Sequence, residues 1–233
     1  MFNVNTVFPL CGYGGIAVLL MVMVLYPDQP EARTLINLPA PALQGAVSVA
    51  QALKSRRTIR RFANKPLTQD QLSQLLWAAY GVTDPRGLRA ASSAGALYPL
   101  DIYVVVGDHQ VSGLAAGVYH YLPEKQALEP GRPGDLRGAV ARASLYQAWM
   151  AEAPVMLVIT GEYRRCQVKY SERGVRYTHM ESGHVGQNIF LQAEALGLGA
   201  GIVGAFENAV ISQTLGLPPA HDPLLIMPVG YKF

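Results

Sequence analysis

Charge is absent from the start of the chain. None of its 19 Lys or Arg and 16 Asp or Glu residues precedes Asp28, although the sequence has 233 positions. Cysteine is almost absent as well: Cys11 and Cys166 are the only two. That excludes a disulfide scaffold and any four-cysteine zinc site. Neither sign of charge dominates, and a formal net charge of +3 gives no electrostatic case for nucleic acid. Low charge does not mean disorder here. Half of the residues are hydrophobic (50%) and 15% are charged, the reverse of a disordered composition. Internal repeats and low-complexity tracts are missing too.

What is present divides the chain into three. Residues 16–26, IAVLLMVMVLY, are an unbroken apolar run, and with VFPLCGYGG before it the uncharged stretch reaches the ~20 residues of a helical span. Residues 1–27 therefore read as a membrane anchor or signal segment, with membrane contact through 7–26. The opposing features are the lack of a basic residue before the run, of a small-x-small cleavage site after it, and of good helix formers at Pro9, Gly14 and Gly15. The alternative is a core helix, or a start codon set too early, in a cytoplasmic protein. Residues 28–47 hold Pro30, Pro39 and Pro41 without periodicity and read as a linker or extended arm. Residues 48–233 are the globular domain.

Within that domain Ser48 with Gln51, and Thr68 with Gln71, are capping-box pairs. They predict helices over 49–57 and from 69 to a stop at Gly81, the second with Leu72, Leu75, Leu76 and Ala79 on one face. DIYVVV at 101–106 and PVMLVIT at 154–160 read as buried strands. GVYHYL at 117–122 reads as one arm of a hairpin returning through 126–129. Residues 135–151 read as helix in two pieces, and 181–198 as a long helix in which Gly183, Gly186 and Ala193 admit another backbone. Residues 200–204 read as a short strand, 207–215 as a helix stopped by Gly216, and 224–229 as the last strand. Helices cluster between strands instead of alternating with them, so the expected class is α+β.

GAGIVG at 199–204 matches GxGxxG, but a helix precedes it and a strand-like run follows. A dinucleotide fingerprint needs the opposite order. Gly197 and Gly199 read instead as glycines ending a helix. Two other segments carry chemistry. SRRTIRRF at 55–62 sets four arginines around a threonine. Guanidinium forks and a hydroxyl suit a shared phosphate, and the alternative is a solvated basic surface or a lipid-headgroup contact. RAASSAGALYP at 89–99 is small enough for a flat ligand to approach its backbone; otherwise it is a small-residue loop entering a strand. His179 and His184 are five apart, on different helix faces, and no metal site is expected. Cys166 has no histidine at nucleophile spacing.

SRRTIRRF, SAGALYP (93–99), KYSERGVRY (169–177), ESGHVGQNIFLQAEALGLG (181–199) and VGAF (203–206) occur in the order found in the nitroreductase superfamily of FMN-dependent oxidoreductases. Over about 48–231 the chain resembles the SagB/ThcOx-type dehydrogenases of that superfamily most closely. The resemblance implies a mainly antiparallel sheet flanked by helices, in a domain-entwined homodimer with FMN at the interface. It also implies cofactor contacts from Arg56, Arg57, Thr58 and Arg60, with Arg60 nearer the flavin ring. Ser93, Ala94 and Gly95 would reach the ring of the partner subunit. Gln187 and Asn188 would lie near the flavin, and Gly204 and Ala205 against it. Two departures stand out. Ser92 replaces a usual Pro, and the chain ends just after GYKF, where many relatives carry a further basic phosphate contact that Lys232 would have to supply.

In azoline-oxidising relatives a Lys-Tyr pair removes a proton from carbon while hydride leaves, which assigns Lys169 and Tyr170 a catalytic role. The other reading of that pair is a surface lysine and a packing tyrosine. The expected activity is an oxidoreductase cycling hydride through flavin N5 by a ping-pong mechanism, with NAD(P)H as reductant and a small molecule or peptide as substrate. The alternatives are an azoline (thiazoline or oxazoline) dehydrogenase acting on a ribosomal peptide, and a non-catalytic flavin-binding or membrane-tethered interaction protein.

Overall fold

The computed structural model describes residues 34–233; the expected anchor or signal segment 1–27, with its apolar run 7–26, lies outside the described residues, as do 28–33. Among the described residues no helix is long and apolar enough to cross a membrane.

Seven strands form one open sheet in the order β1-β4-β3-β2-β5-β7-β6. They are β1 (Ile36–Asn37), β2 (Leu100–Val106), β3 (Gly117–Leu122), β4 (Ala127–Pro133), β5 (Val155–Gly161), β6 (Leu198–Ala200) and β7 (Asp222–Tyr231). Every pairing between them is antiparallel, with Val104 opposite Leu157 and Leu157 opposite Met227 at the centre. The expected α+β class and mainly antiparallel sheet flanked by helices are therefore present. Within the expected linker the described residues reach the sheet: β1 pairs with β4, and Leu38, buried in the core, donates its backbone N–H to Gln126 O.

Strand side chains alternate between faces, so the long apolar runs of β2 and β5 serve two cores. Ile102, Val104, Val106, Leu157 and Ile159 point to the face covered by α2 (Gln69–Tyr80) and α5 (Arg173–Ala195). Tyr103, Val105, Met156 and Val158 point to the face covered by α3 (Arg137–Ala143) and α6 (Asn208–Leu215). The remaining helices are α1 (Val49–Ser55) and α4 (Tyr163–Tyr170).

The box at the start of α2 is complete: Thr68 Oγ1 accepts from Gln71 N–H, and the Gln71 side chain accepts from Thr68 N–H. At α1 only the Ser48 half forms, and the helix stops at Ser55, two residues short of the predicted end. Four expectations are corrected. The long helix starts at Arg173 instead of 181, because half-buried Val175 and Tyr177 and buried Gly174 and Thr178 extend its inner face. The helix α4 was not predicted; its eight residues bury Cys166 alone and show little apolar periodicity. The short strand lies at Leu198–Ala200, not 200–204, so Gly199 is a strand residue paired with Gly230, while Gly197 (φ 71°) ends the helix. Gly186 admits the side chains of Leu225, Met227 and Ile202, not a backbone, and Gly183 faces open space.

Candidate active site

The arginine segment begins where α1 runs out of hydrogen-bond partners. Arg56 is its C-cap, and the Arg56 guanidinium carbon lies 4.8 Å from the ring centroid of Phe190 on α5. Arg57 Nη1 turns back to donate to Lys54 O (3.0 Å) and Arg56 O (2.7 Å), satisfying carbonyls at the helix end. Thr58 bridges Ala200 of β6, and Ile59 N–H donates to Ala200 O. The Arg60 guanidinium lies 5.9 Å from the Trp149 ring and that of Arg61 4.3 Å from Phe233. None of these four arginines has a carboxylate partner among the described residues. Lys232, by contrast, is paired with Glu194 at 2.7 Å.

The loop before β2 adopts left-handed backbone at Gly95 (φ 62°), Ala96 (54°) and Tyr98 (47°). Such a conformation costs non-glycine residues energy and persists only where the surroundings fix it. Here they do. Tyr98 N–H donates to Ser93 Oγ (2.9 Å), Arg89 N–H to Tyr98 Oη (3.1 Å), Arg165 Nη1 to Tyr98 O (3.3 Å) and Leu100 N–H to Tyr80 Oη (3.3 Å). The Arg89 guanidinium carbon lies 4.5 Å from the Tyr80 ring centroid and 4.7 Å from that of Tyr98.

Against this loop stands the end of α4. A Cβ added at Gly95 would lie 2.8 Å from Tyr170 Oη and 3.0 Å from Lys169 Nζ. The ring of Tyr170 meets that of Tyr177 edge-on at 5.1 Å. Helix α5 supports the same loop from beneath. His184 Nδ1 is 3.1 Å from Ser92 Oγ, and Asn188 Nδ2 donates to Ala78 O (3.0 Å) and Ala90 O (3.4 Å). Gln187 is half-buried beside Asn188. Gly204 and Ala205 are exposed just after the bridge between Val203 and Ile226, and a Cβ at Gly204 would meet only Leu225.

The residues expected to act together thus fall into two groups. Ser93, Ala94 and Gly95 share one place with Lys169 and Tyr170. Arg56, Thr58 and Arg60 share another with β6 and Trp149. No hydrogen bond, ion pair or ring contact joins the arginines to the loop among the described residues.

Three further polar features stand outside the expected site. Glu181 and Tyr80, each 1% exposed, meet behind the loop, with Tyr80 Oη donating to Glu181 Oε1 at 2.6 Å. Burial pushes both pKa values up, and the neighbouring Glu181 charge adds to the effect at Tyr80. Cys166 is fully buried, and burial raises its thiol pKa, as befits a packing residue and not a nucleophile. Asp101, Glu162 and His221 have ligand atoms within 4.8 Å of one another, but Arg165 already reaches Asp101 at 2.8 Å and Glu162 at 2.6 Å. Burial of Asp101 opposes its ionisation. The hydrogen bond from His120 and the charges of Arg165 and His221 outweigh this and hold its pKa below the ordinary value.

Residues 53–231 match the model of the nitroreductase family. The chain belongs to the nitroreductase family. A protein of Methanocaldococcus jannaschii named as a nitroreductase is 45% identical over 186 residues, spanning 80% of this chain and 92% of its own. The microcin B17-processing protein McbC of Escherichia coli is 30% identical over 166 residues, spanning 70% of this chain and 60% of its own. Among solved structures, a nitroreductase-type protein of Ralstonia eutropha superposes with a TM-score of 0.75 at 29% identity, covering 85% of this chain and 90% of its own. The E. coli microcin synthetase McbBCD complex with truncated pro-MccB17 matches with a TM-score of 0.65 at 26% identity, covering 83% and 76%. Family membership makes the chain an oxidoreductase, and the SagB-type resemblance agrees with its kinship to McbC.

Proposed function

We propose that the protein is an FMN-dependent oxidoreductase that works as a homodimer, each site being completed by the second copy. The observation that carries this reading is the set of arginines around Thr58 that lack a carboxylate partner. Guanidiniums so close in sequence repel one another unless an anion is shared, and a nucleotide phosphate fits their forks and the Thr58 hydroxyl. The exposed Gly204–Ala205 stretch fits an approaching planar group equally well.

In this reading Arg56, Arg57 and Thr58 hold the phosphate, Arg57 leaving the end of α1 to do so. Arg60 places positive charge near the ring, where electron density rises during reduction. Gly204 and Ala205 form one wall, and Gln187 and Asn188 lie beside it. Ser93, Ala94 and Gly95 of the other copy close the site and bring Lys169 and Tyr170 with them. FMN, when bound, accepts hydride from one substrate and passes it to another in alternate half-reactions, with NAD(P)H as a reductant. Where a substrate is oxidised by losing a hydride and a proton, Lys169 Nζ and Tyr170 Oη would take up that proton; NAD(P)H gives up hydride alone and needs no such base.

The test is a flavin titration of the purified protein. FMN should bind and give a flavin spectrum. The Arg56→Ala/Arg60→Ala double variant should bind at least ~100-fold more weakly, about what two charge-assisted hydrogen bonds contribute. A folded protein that ignores excess FMN would overturn the reading. Bound flavin that no reductant bleaches would leave a non-catalytic flavin-binding protein.

A second reading is favoured by the similarity to McbC and by the position of Lys169 and Tyr170 on Gly95: oxidation of an azoline ring on a peptide. Supplying an azoline-containing peptide to the FMN-loaded protein and following flavin bleaching distinguishes it from simple NAD(P)H oxidation. We also infer membrane contact through residues 7–26. Fractionation of the full chain beside a form lacking residues 1–27 tests it; equal solubility without detergent would remove the anchor.

A further inference from the structure

Behind the loop lies a carboxyl that the expected mechanism does not use. Glu181 is on the first half of α5, 1% exposed. Its Oε1 accepts from Tyr80 Oη at 2.6 Å, while Oε2 is buried and forms no well-directed hydrogen bond. The Ser93 hydroxyl acts on this carboxyl from the loop side and, like that of Tyr80, favours its ionised form. A carboxylate offers only acceptors, and the Ser93 O–H is a donor facing it. Ser93 Oγ at the same time accepts from Tyr98 N–H.

We propose that Glu181 is a positioning residue: its buried carboxyl accepts from Tyr80 at Oε1, faces the Ser93 hydroxyl, and thereby holds Gly95 against Lys169 and Tyr170. The clamp opposes the left-handed strain at Gly95, Ala96 and Tyr98. The charged and titratable groups facing Glu181 are Tyr80 on α2, Arg89 at the loop entrance, Cys166 on α4 and His184 one turn along α5. Burial, the largest influence, raises the pKa of Glu181, and the Ser93 and Tyr80 hydroxyls, His184 and Arg89 oppose it. The inference rests on the reading that this loop belongs to the redox site.

The experiment compares the full chain with Glu181→Gln and Glu181→Ala by hydrogen–deuterium exchange of the 93–98 amides, with and without FMN. Glutamine keeps an acceptor for Tyr80 and a polar group facing Ser93. It should keep the loop protected, whereas alanine should raise exchange at least tenfold. Should Glu181→Ala fail to fold, Tyr80→Phe removes only the hydroxyl and should loosen the same amides. Unchanged exchange in the alanine or phenylalanine variant overturns the clamp, and so does a glutamine variant as loose as alanine. Bleaching of bound flavin by NADPH is the second readout, and it should slow in Glu181→Ala and not in Glu181→Gln. Loosened amides with unchanged bleaching would leave the clamp standing and remove the loop from the redox site instead.

Discussion

Gly95 is the residue on which the most chemistry converges. Its φ of 62° disfavours any side chain, and a methyl group there would push on Tyr170 Oη and Lys169 Nζ. Gly95→Ala should cost about 1–2 kcal/mol of stability, the usual scale for a left-handed site, and should slow flavin reduction at least tenfold; thermal unfolding and stopped-flow bleaching measure the two. Lys169→Ala should leave FMN affinity near wild type while lowering turnover by about 10²–10⁴, the range of a lost general base. Away from the site, Asp101 ties the sheet to Arg165 of α4 and to His120. Its folded pKa is depressed, so its stabilising effect is complete above its unfolded value near ~3.9 and is lost as pH falls through the lower folded value. Asp101→Asn should therefore flatten the acid unfolding curve below about pH 4, as followed by circular dichroism.

The elements show why some of this was readable in the sequence and some was not. The start of α2 was, because a capping box is local chemistry. Thr68→Ala should cost about 1 kcal/mol in urea denaturation. The central strands were readable too, since β2 and β5 are buried on both faces and carry continuous apolar runs. Helix α4 was not, because YRRCQVKY shows no apolar stripe; Arg165, reaching Asp101, Glu162 and Tyr98 O, ties it in place. Likewise nothing in ALYP announces left-handed Ala96 and Tyr98; hydrogen bonds donated by Arg89 and Arg165 to Tyr98, and one that Tyr80 accepts from Leu100 N–H, hold this stretch. Lys169, Tyr170 and Gly95 were chosen through family resemblance, and the fold brings them together. Glu181 stood in a quoted motif without a role, because a lone acid in a helix looks like a solvated one until its burial is known.

In the whole molecule, α5 is the rod that sets the distances. Its 23 residues span ~34 Å, meeting the loop at His184 and the arginines at Phe190, six positions further on. Light scattering of the purified protein should give a dimer, and the Arg56→Ala/Arg60→Ala variant should remain one. If each cleft borrows its arginines from one copy and its Lys169 from the other, two dead proteins can mend each other. Co-expressing the double arginine variant with Lys169→Ala should yield hybrids in which one cleft carries every lesion and its twin carries none. Random pairing would then restore roughly a quarter of normal turnover, whereas a cleft built within one chain would restore nothing.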